Sequence, residues 1–429
     1  MPNGLRMVIW LLMTMGLLHS KDMTKEKSDS IKICLITLST PTFNNVGAAS
    51  ALPYHLILGA KENKAVEFVI YSFNINEIDA EGIKQTEQQL GAKVHLLSKP
   101  LWLQWMFKMH LLLLRVFLGR PLWSYLTLPA WALADIRAYK PDKVWVYGEE
   151  IARLAKHFDS SRTVVTMPDC ESLYYYRLLE LPWISLDLRK ILRYSFAYWQ
   201  YKRMEHTDSI QGVTYHFVGK ADADFYQRFN PDAHVVFIPH PLYAHRPKDI
   251  SFHRPRIRLL FAGRYDFYCQ HGSDKALQAM MNRANELYDH FEVTFLGKGW
   301  QSWADKLSGA GFTTQHIPYV KDYIEELQRH DIQINIIDVG TGTKGKVLDA
   351  ISNGLLVMGS PLALENIAVK DGESCVQCID YLELPNLLKN IVLHSDKYEK
   401  MAETGLRTAL AEHGRTKRAL ELFGLCRNK

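Results

Sequence analysis

The sequence predicts an α/β protein of two doubly wound, Rossmann-like domains. Three observations carry this reading. Short β-branched and apolar runs alternate with helical stretches from residue 31 onward, the pattern of parallel sheets covered by helices. A chain of 429 residues with 47% hydrophobic residues suits about two domains with sizeable cores. Residues 331–360, DIQINIIDVGTGTKGKVLDAISNGLLVMGS, read as a complete strand, glycine turn, helix and strand.

Residues 1–30 form an N-terminal extension. Its apolar run, 7–18, is too short to span a bilayer and shows no small-residue cleavage site. We expect a membrane-touching segment or an upstream start, with Met23 as the alternative first residue. The first domain is expected over 31–242. Residues 31–38 read as its first strand, followed by a turn holding Gly47 and a helix over 48–58. Strand signals recur at 66–71 and 92–97, with a helix over 76–90 between them.

The stretch 101–132 has the most unusual composition. It carries Trp102, Trp105, Phe107, Trp123, Tyr125 and Trp131 and four leucines at 111–114, interrupted by Lys108, Arg115 and Arg120. Those charges argue against a membrane-spanning helix. An amphipathic helix resting on anionic lipid and a long buried helix are both consistent with it. A second aromatic-basic helix at 188–203 adds weight to the lipid-surface reading. Residues 143–147 and 163–167 are further strands. Gly148-Glu149-Glu150 follows the first of these, at the strand end that faces the ligand crevice in open α/β sheets. Pro168-Asp169-Cys170-Glu171 follows the second, where carboxylates serve either a ligand or a helix N-cap. Strands at 209–218 and 235–239 complete the domain.

The proline-punctuated tract 243–255 is the linker. The second domain, 256–400, opens with a strand at 257–262 that ends in Gly263-Arg264. A helix at 274–288, strands at 292–296 and 315–319 and a helix at 323–330 lead into the glycine stretch. A short strand at 374–379 holds Cys375 and Cys378. One C-x-x-C without a second pair is not a zinc site, and six scattered cysteines fit a reducing compartment. Residues 401–429 form a helical, basic tail.

The chemistry concentrates in the glycine stretch. Gly340, Gly342 and Gly345 let the backbone approach a ligand closely, and the N–H groups opening the next helix favour an anion. Lys346 and Asp349 are three apart and share a helix face. A lysine suits a phosphate and a carboxylate suits sugar hydroxyls, so the pair points to a nucleotide-linked ligand. Arg264 adds a planar, permanently charged fork for phosphate oxygens, and Lys275 is a candidate second cation. Gly340 to Lys346 also satisfies G-x-x-x-x-G-K, the start of a P-loop. Val347 stands where a Mg²⁺-holding hydroxyl is required, which makes a nucleotidase the weaker reading.

Residues 340–365 resemble the donor-nucleotide site of GT-B glycosyltransferases of the family-4 type. The resemblance rests on Gly342, Lys346, the run Leu348-Asp349-Ala350-Ile351-Ser352, Gly354, and Leu364-Glu365-Asn366. The family's second carboxylate falls on Asp349; its first, eight residues earlier, falls on Thr341, a departure from the pattern. The resemblance implies a GT-B fold, two domains facing each other across a cleft, with the C-terminal tail crossing back to the first. It implies donor binding by Gly263, Arg264, Gly342, Lys346, Asp349, Glu365 and Asn366, with Gly47 and Glu149 lining the acceptor side. Asp169 and Glu171 are the candidate catalytic carboxylates, placed to meet the sugar or the acceptor hydroxyl. The implied activity is retaining, metal-independent transfer from a nucleotide-sugar co-substrate, with no other cofactor. A lipid-linked or surface-polysaccharide acceptor is expected, in a bacterial cytoplasm or on the inner membrane face through 101–132.

A net charge of +5 without a basic block excludes a nucleic-acid partner. One alternative stands beside the transferase: a non-catalytic GT-B-like subunit, suggested by Thr341.

Overall fold

The computed structural model describes residues 30–43, 48–63, 66–109, 117–184 and 186–425. The expected extension before Ser30, the turn with Gly47 and the leucines at 111–114 lie outside them. The first half of the chain runs β1 (Ile31–Thr37), α1 (Ala48–Asn63), β2 (Val66–Ser72), α2 (Ala80–Leu90), β3 (Lys93–Leu96), α3 (Leu101–Lys108), α4 (Ala130–Tyr139) and β4 (Lys143–Tyr147). It continues through β5 (Thr163–Met167), α5 (Glu171–Glu180), α6 (Leu188–Thr207), β6 (Thr214–Phe217), α7 (Lys220–Phe229) and β7 (His234–Phe237). The second half runs β8 (Ile257–Ala262), α8 (Gln270–Asn282), β9 (Phe291–Leu296), α9 (Gln301–Gly309), β10 (Thr313–Ile317), α10 (Tyr323–Leu327) and β11 (Ile332–Asn335). It ends with α11 (Gly345–Ser352), β12 (Leu356–Gly359), α12 (Pro361–Leu364), β13 (Val376–Gln377), α13 (Leu384–Leu393), α14 (Ser395–Glu412) and α15 (Arg415–Leu422).

Two wholly parallel sheets result. The first has seven strands in the order β3-β2-β1-β4-β5-β6-β7, the second six in the order β10-β9-β8-β11-β12-β13. In each, the strand order reverses beside the first strand, and the crevice outside the C-terminal strand ends is the place for a ligand. Period-two alternation explains how both faces are covered. Ile33 and Leu35 pack under α1 and α15, while Cys34 and Ile36 pack on the opposite face with Val146 and Val165. In the second sheet Leu259 and Phe261 face one core and Leu260 the other. Each such buried side chain contributes about 1.5–3 kcal/mol of apolar burial.

The tail returns to the first sheet. Phe423 lies edge-on to Trp145 at 5.1 Å and to Phe68 at 5.7 Å. Arg415 donates to Glu62 at 2.7 Å, and a Cβ at Gly59 would overlap the backbone of Arg415.

Several expected elements change extent. The expected helix at 76–90 begins only at Ala80, because Asp79 caps it by accepting the Gly82 N–H at 2.8 Å. The helix expected at 274–288 starts four residues earlier, at Gln270, and ends at Asn282. The strand expected at 209–218 shortens to Thr214–Phe217, and that at 374–379 to Val376–Gln377. The stretch 101–132 is not one helix. Pro121 and Pro129 stand just before the 3-10 turn Leu122–Tyr125 and α4, where each breaks a continuous helix. Among the described residues no helix is long and apolar enough to cross a membrane.

Candidate active site

Two strand ends of the second sheet and the start of α11 enclose a pocket of 360 Å³. Gly263, Arg264, Lys344, Gly345 and Lys346 line it. Gly263 has φ 138°, and a side chain there would meet nothing within 4 Å, so the strand end faces open space. Its carbonyl accepts the Trp300 indole N–H at 2.8 Å, which fixes the turn. Arg264 is exposed, and its nearest carboxylate is Asp266 at 3.9 Å. Lys346 is held by burial below the usual ammonium range, opposed by Asp349 and Asp266. Asp349 does not line this pocket. It sits one turn along α11, electrostatically coupled to the phenols of Tyr243 and Tyr323, with burial lifting its carboxyl to about 7. Lys275 is not here either; it lines a neighbouring cavity.

The first domain presents a ledge of carboxylates at its strand ends. Gly148, at φ 120°, turns the chain after β4 into Glu149. Asp169 and Glu171 follow β5. Burial, then Asp169, pushes Glu171 up to about 8. Burial, then Glu171, holds Glu149 well above the carboxylate range, and burial raises Asp169. Behind them Glu205 accepts the Ser172 N–H at 3.1 Å. Among the described residues this ledge does not bring three metal-type ligand atoms together. The one such trio, His253, Asp396 and Glu399, lies beside the linker.

The glycine loop and the ledge meet. Thr341 and Lys344 both favour the charged form of Asp169, and a Cβ at Gly342, where φ is 62°, would overlap Asp169 Oδ1. The Lys344 ammonium favours the charged forms of Asp169 and Asp222. Asp222 joins both sides, accepting the Cys170 N–H at 2.9 Å and the Gly342 N–H at 3.0 Å. Thr343 Oγ1 donates to the Val218 carbonyl at 2.9 Å.

Glu365 and Asn366 do not line the Arg264 pocket. Glu365 receives both arms of Arg177, at 2.7 and 2.9 Å, and Arg177 also donates to the Gly340 carbonyl at 2.6 Å. Asn366, at φ 67°, accepts the Lys220 N–H at 2.8 Å and donates to the Gly342 carbonyl at 2.9 Å. Both clamp the two domains together.

The expected donor residues thus divide. Gly263, Arg264 and Lys346 share one pocket. Gly342 joins the contact with Asp169, beside which Glu171 and Glu149 lie. Gly47 is outside the described residues. Three residues of the site carried no assignment from sequence: Arg177, Asp222 and Lys344. Lys344 stands two residues from Lys346 and Arg177 ends a Tyr-Tyr-Tyr-Arg run, which were available signals. Asp222 had none, since its partners lie 52 and 120 residues away.

Residues 274–424 match a family model described as glycosyl transferase-like. No curated protein matches the chain. Similar solved structures include HepE from Anabaena in complex with UDP and glucose, 12% identical, with 92% of this chain and 99% of that chain covered at TM-score 0.57. Sucrose-phosphate synthase from Thermosynechococcus elongatus is 11% identical over 92% and 98% of the two chains, at TM-score 0.59. WaaG, a glycosyltransferase involved in lipopolysaccharide biosynthesis, is 12% identical over 92% and 100%, at TM-score 0.55.

Proposed function

We propose that this chain, a GT-B glycosyltransferase by its fold and by the match of its second domain, moves a sugar from a UDP-sugar to a glycan or lipid-linked acceptor. The observation that carries this is the pocket shared by Gly263, Arg264, Lys344 and Lys346 opposite the Asp169 ledge. It offers cations and free N–H groups to a departing diphosphate, and carboxylates to hydroxyls. UDP is taken from the similar HepE structures, which contain it.

In this reading the acceptor oxygen bonds to the anomeric carbon while the bond from that carbon to the diphosphate oxygen breaks. The electron pair leaves with the diphosphate, and the acceptor proton passes to the departing phosphate oxygen. Arg264 and Lys346 stabilise the charge that develops, without a metal. Asp349 holds ribose hydroxyls. Attack on the face the diphosphate leaves gives retention. Exposed Trp102, Trp105 and Phe117 in the 101–132 region suit a peripheral position on the inner membrane face.

The second reading, a non-catalytic subunit, rests on Thr341. It is weakened by Asp169, which brings a carboxylate to Thr341 from the other domain.

The test is turnover of UDP-, GDP- and ADP-sugars by the purified chain, with and without EDTA, beside Lys346→Ala. We expect slow UDP-sugar hydrolysis that survives EDTA and falls roughly 10–100-fold in the variant, the loss of one charge-assisted contact. Folded protein that turns over no nucleotide-sugar supports the subunit reading instead.

A further inference from the structure

A second cavity lies outside the donor pocket. It measures 710 Å³, within the range of small-molecule sites. Its walls come from both domains: the loop between α5 and α6 on one side, and α8 with the ends of β11, β12 and β13 on the other. Ile337 lines both this cavity and the donor pocket, so the two are neighbours.

The lining is polarised. At one end stand His271 and Lys275 of α8. Lys275 is exposed and makes no ion pair among the described residues. Asp338 shares this end, but its carboxylate is turned onto the Gly272 N–H, at 3.0 and 3.1 Å. Trp183 of the first domain packs against His271 with ring centroids 4.1 Å apart and planes tilted by 34°, and lines the cavity. The rest is apolar. Leu362 and Pro182 lead to a mouth formed by Leu186 and Ile379, which are 88% and 74% exposed. Exposed apolar groups do not stop there. Leu188 and Leu192, one helical turn apart on α6, continue from Leu186, flanked by exposed Arg189, Lys190 and Arg193. A floor holding the Lys275 ammonium and the His271 ring beside Asp338, an apolar throat and an apolar-basic apron match an anionic amphiphile.

We propose that this cavity is the acceptor site and takes an acceptor with a phosphate group on an apolar chain. The phosphate lies between Lys275 and His271 under Trp183. The chain leaves over Leu186 and Ile379 and follows the Leu188–Leu192 stripe toward a lipid surface. The sugar-accepting end points past Ile337 to the donor. This rests on the transferase reading and adds the substrate class to it.

The test is binding of farnesyl phosphate to the full chain, below its aggregation concentration, beside farnesol and inorganic phosphate. Binding of UDP, GDP and ADP is measured on the same samples. We expect farnesyl phosphate to bind at least about tenfold more tightly than either half-molecule, because both ends of the cavity are filled. Lys275→Ala should weaken farnesyl phosphate about tenfold and leave farnesol unchanged. The double variant Leu186→Ser, Ile379→Ser should weaken farnesyl phosphate and farnesol alike. UDP affinity should stay unchanged in both variants, which also reports that they fold. Farnesol binding as tightly as farnesyl phosphate, or variants binding like wild type, overturns the assignment. So does protein that binds UDP but no farnesyl phosphate. Protein that binds farnesyl phosphate in this pattern but none of UDP, GDP and ADP retains the site and removes the transferase reading.

Discussion

Asp169 belongs to the first domain, yet its carboxylate completes a loop of the second. The family pattern puts a carboxylate eight residues before Asp349, and this chain has Thr341 there. Asp169 instead lies against the next residue, Gly342, where Thr341 and Lys344 favour its charged form. A carboxylate is therefore present at the loop, delivered from the other side of the cleft. If it holds donor hydroxyls, Asp169→Asn should lower kcat/KM for UDP-sugar roughly 10–100-fold, the cost of one charge-assisted hydrogen bond, with UDP affinity unchanged. Moving the carboxylate into the loop, as Asp169→Ala with Thr341→Glu, should restore part of the rate. Equal loss of UDP and UDP-sugar binding in Asp169→Asn would reduce Asp169 to a shaper of the loop. At this scale the sequence was legible where one residue type suits one ligand, as for Arg264 and Lys346. It was silent on Asp222 and on the pairing of Glu365 with Arg177, because the partners of both are set by domain contact and not by neighbours in the chain.

At the scale of elements, the loop before α11 depends on Gly342 twice. Its φ of 62° favours glycine, and any Cβ would overlap Asp169 Oδ1. Gly342→Ala should therefore cost about 1–3 kcal/mol, read as a lower unfolding midpoint, and should reduce donor turnover together with it. A melting curve that superimposes on wild type would show that the loop relaxes freely away from Asp169. The strands of both sheets were readable to within a few residues, because fully buried parallel strands are continuous apolar runs. Residues 143–147, 163–167 and 257–262 came out unchanged, as β4, β5 and β8. The 101–132 stretch was not readable as one helix. Its composition speaks of burial and lipid, while its breaks come from Pro121 and Pro129. The capping by Asp79 was a local signal that an apolar count passes over.

For the whole molecule, the join between domains is built around neutral histidine. His413, at the end of α14, is buried. Its Nδ1 donates to the His240 carbonyl at 2.8 Å, and its Nε2 accepts the Ala368 N–H at 3.0 Å. The Leu242 N–H donates to the His413 carbonyl at 2.7 Å, so the end of the first domain, the tail and the second domain meet at one residue. An imidazole that accepts at Nε2 must be unprotonated, and burial lowers the pKa of His413; burial also lowers His240, to about 4. A histidine with a depressed native pKa gives its full stability above the unfolded value of about 6.5. Below that pH the unfolded chain takes up a proton that the native chain refuses, so stability falls as pH falls toward the native pKa. The slope for one group is about 1.4 kcal/mol per pH unit. The raised carboxylates of the ledge work in the opposite sense and mask this in the wild type alone. His413→Gln isolates it, since glutamine keeps a donor and an acceptor but does not titrate. The stability advantage of wild type over His413→Gln, measured by urea unfolding, should be constant from pH 8 to pH 7 and shrink steadily from pH 6.5 to pH 5. A difference that stays flat across that range would mean that the join tolerates a charged imidazole, and that the neutral tautomer is a consequence of closure and not a condition for it.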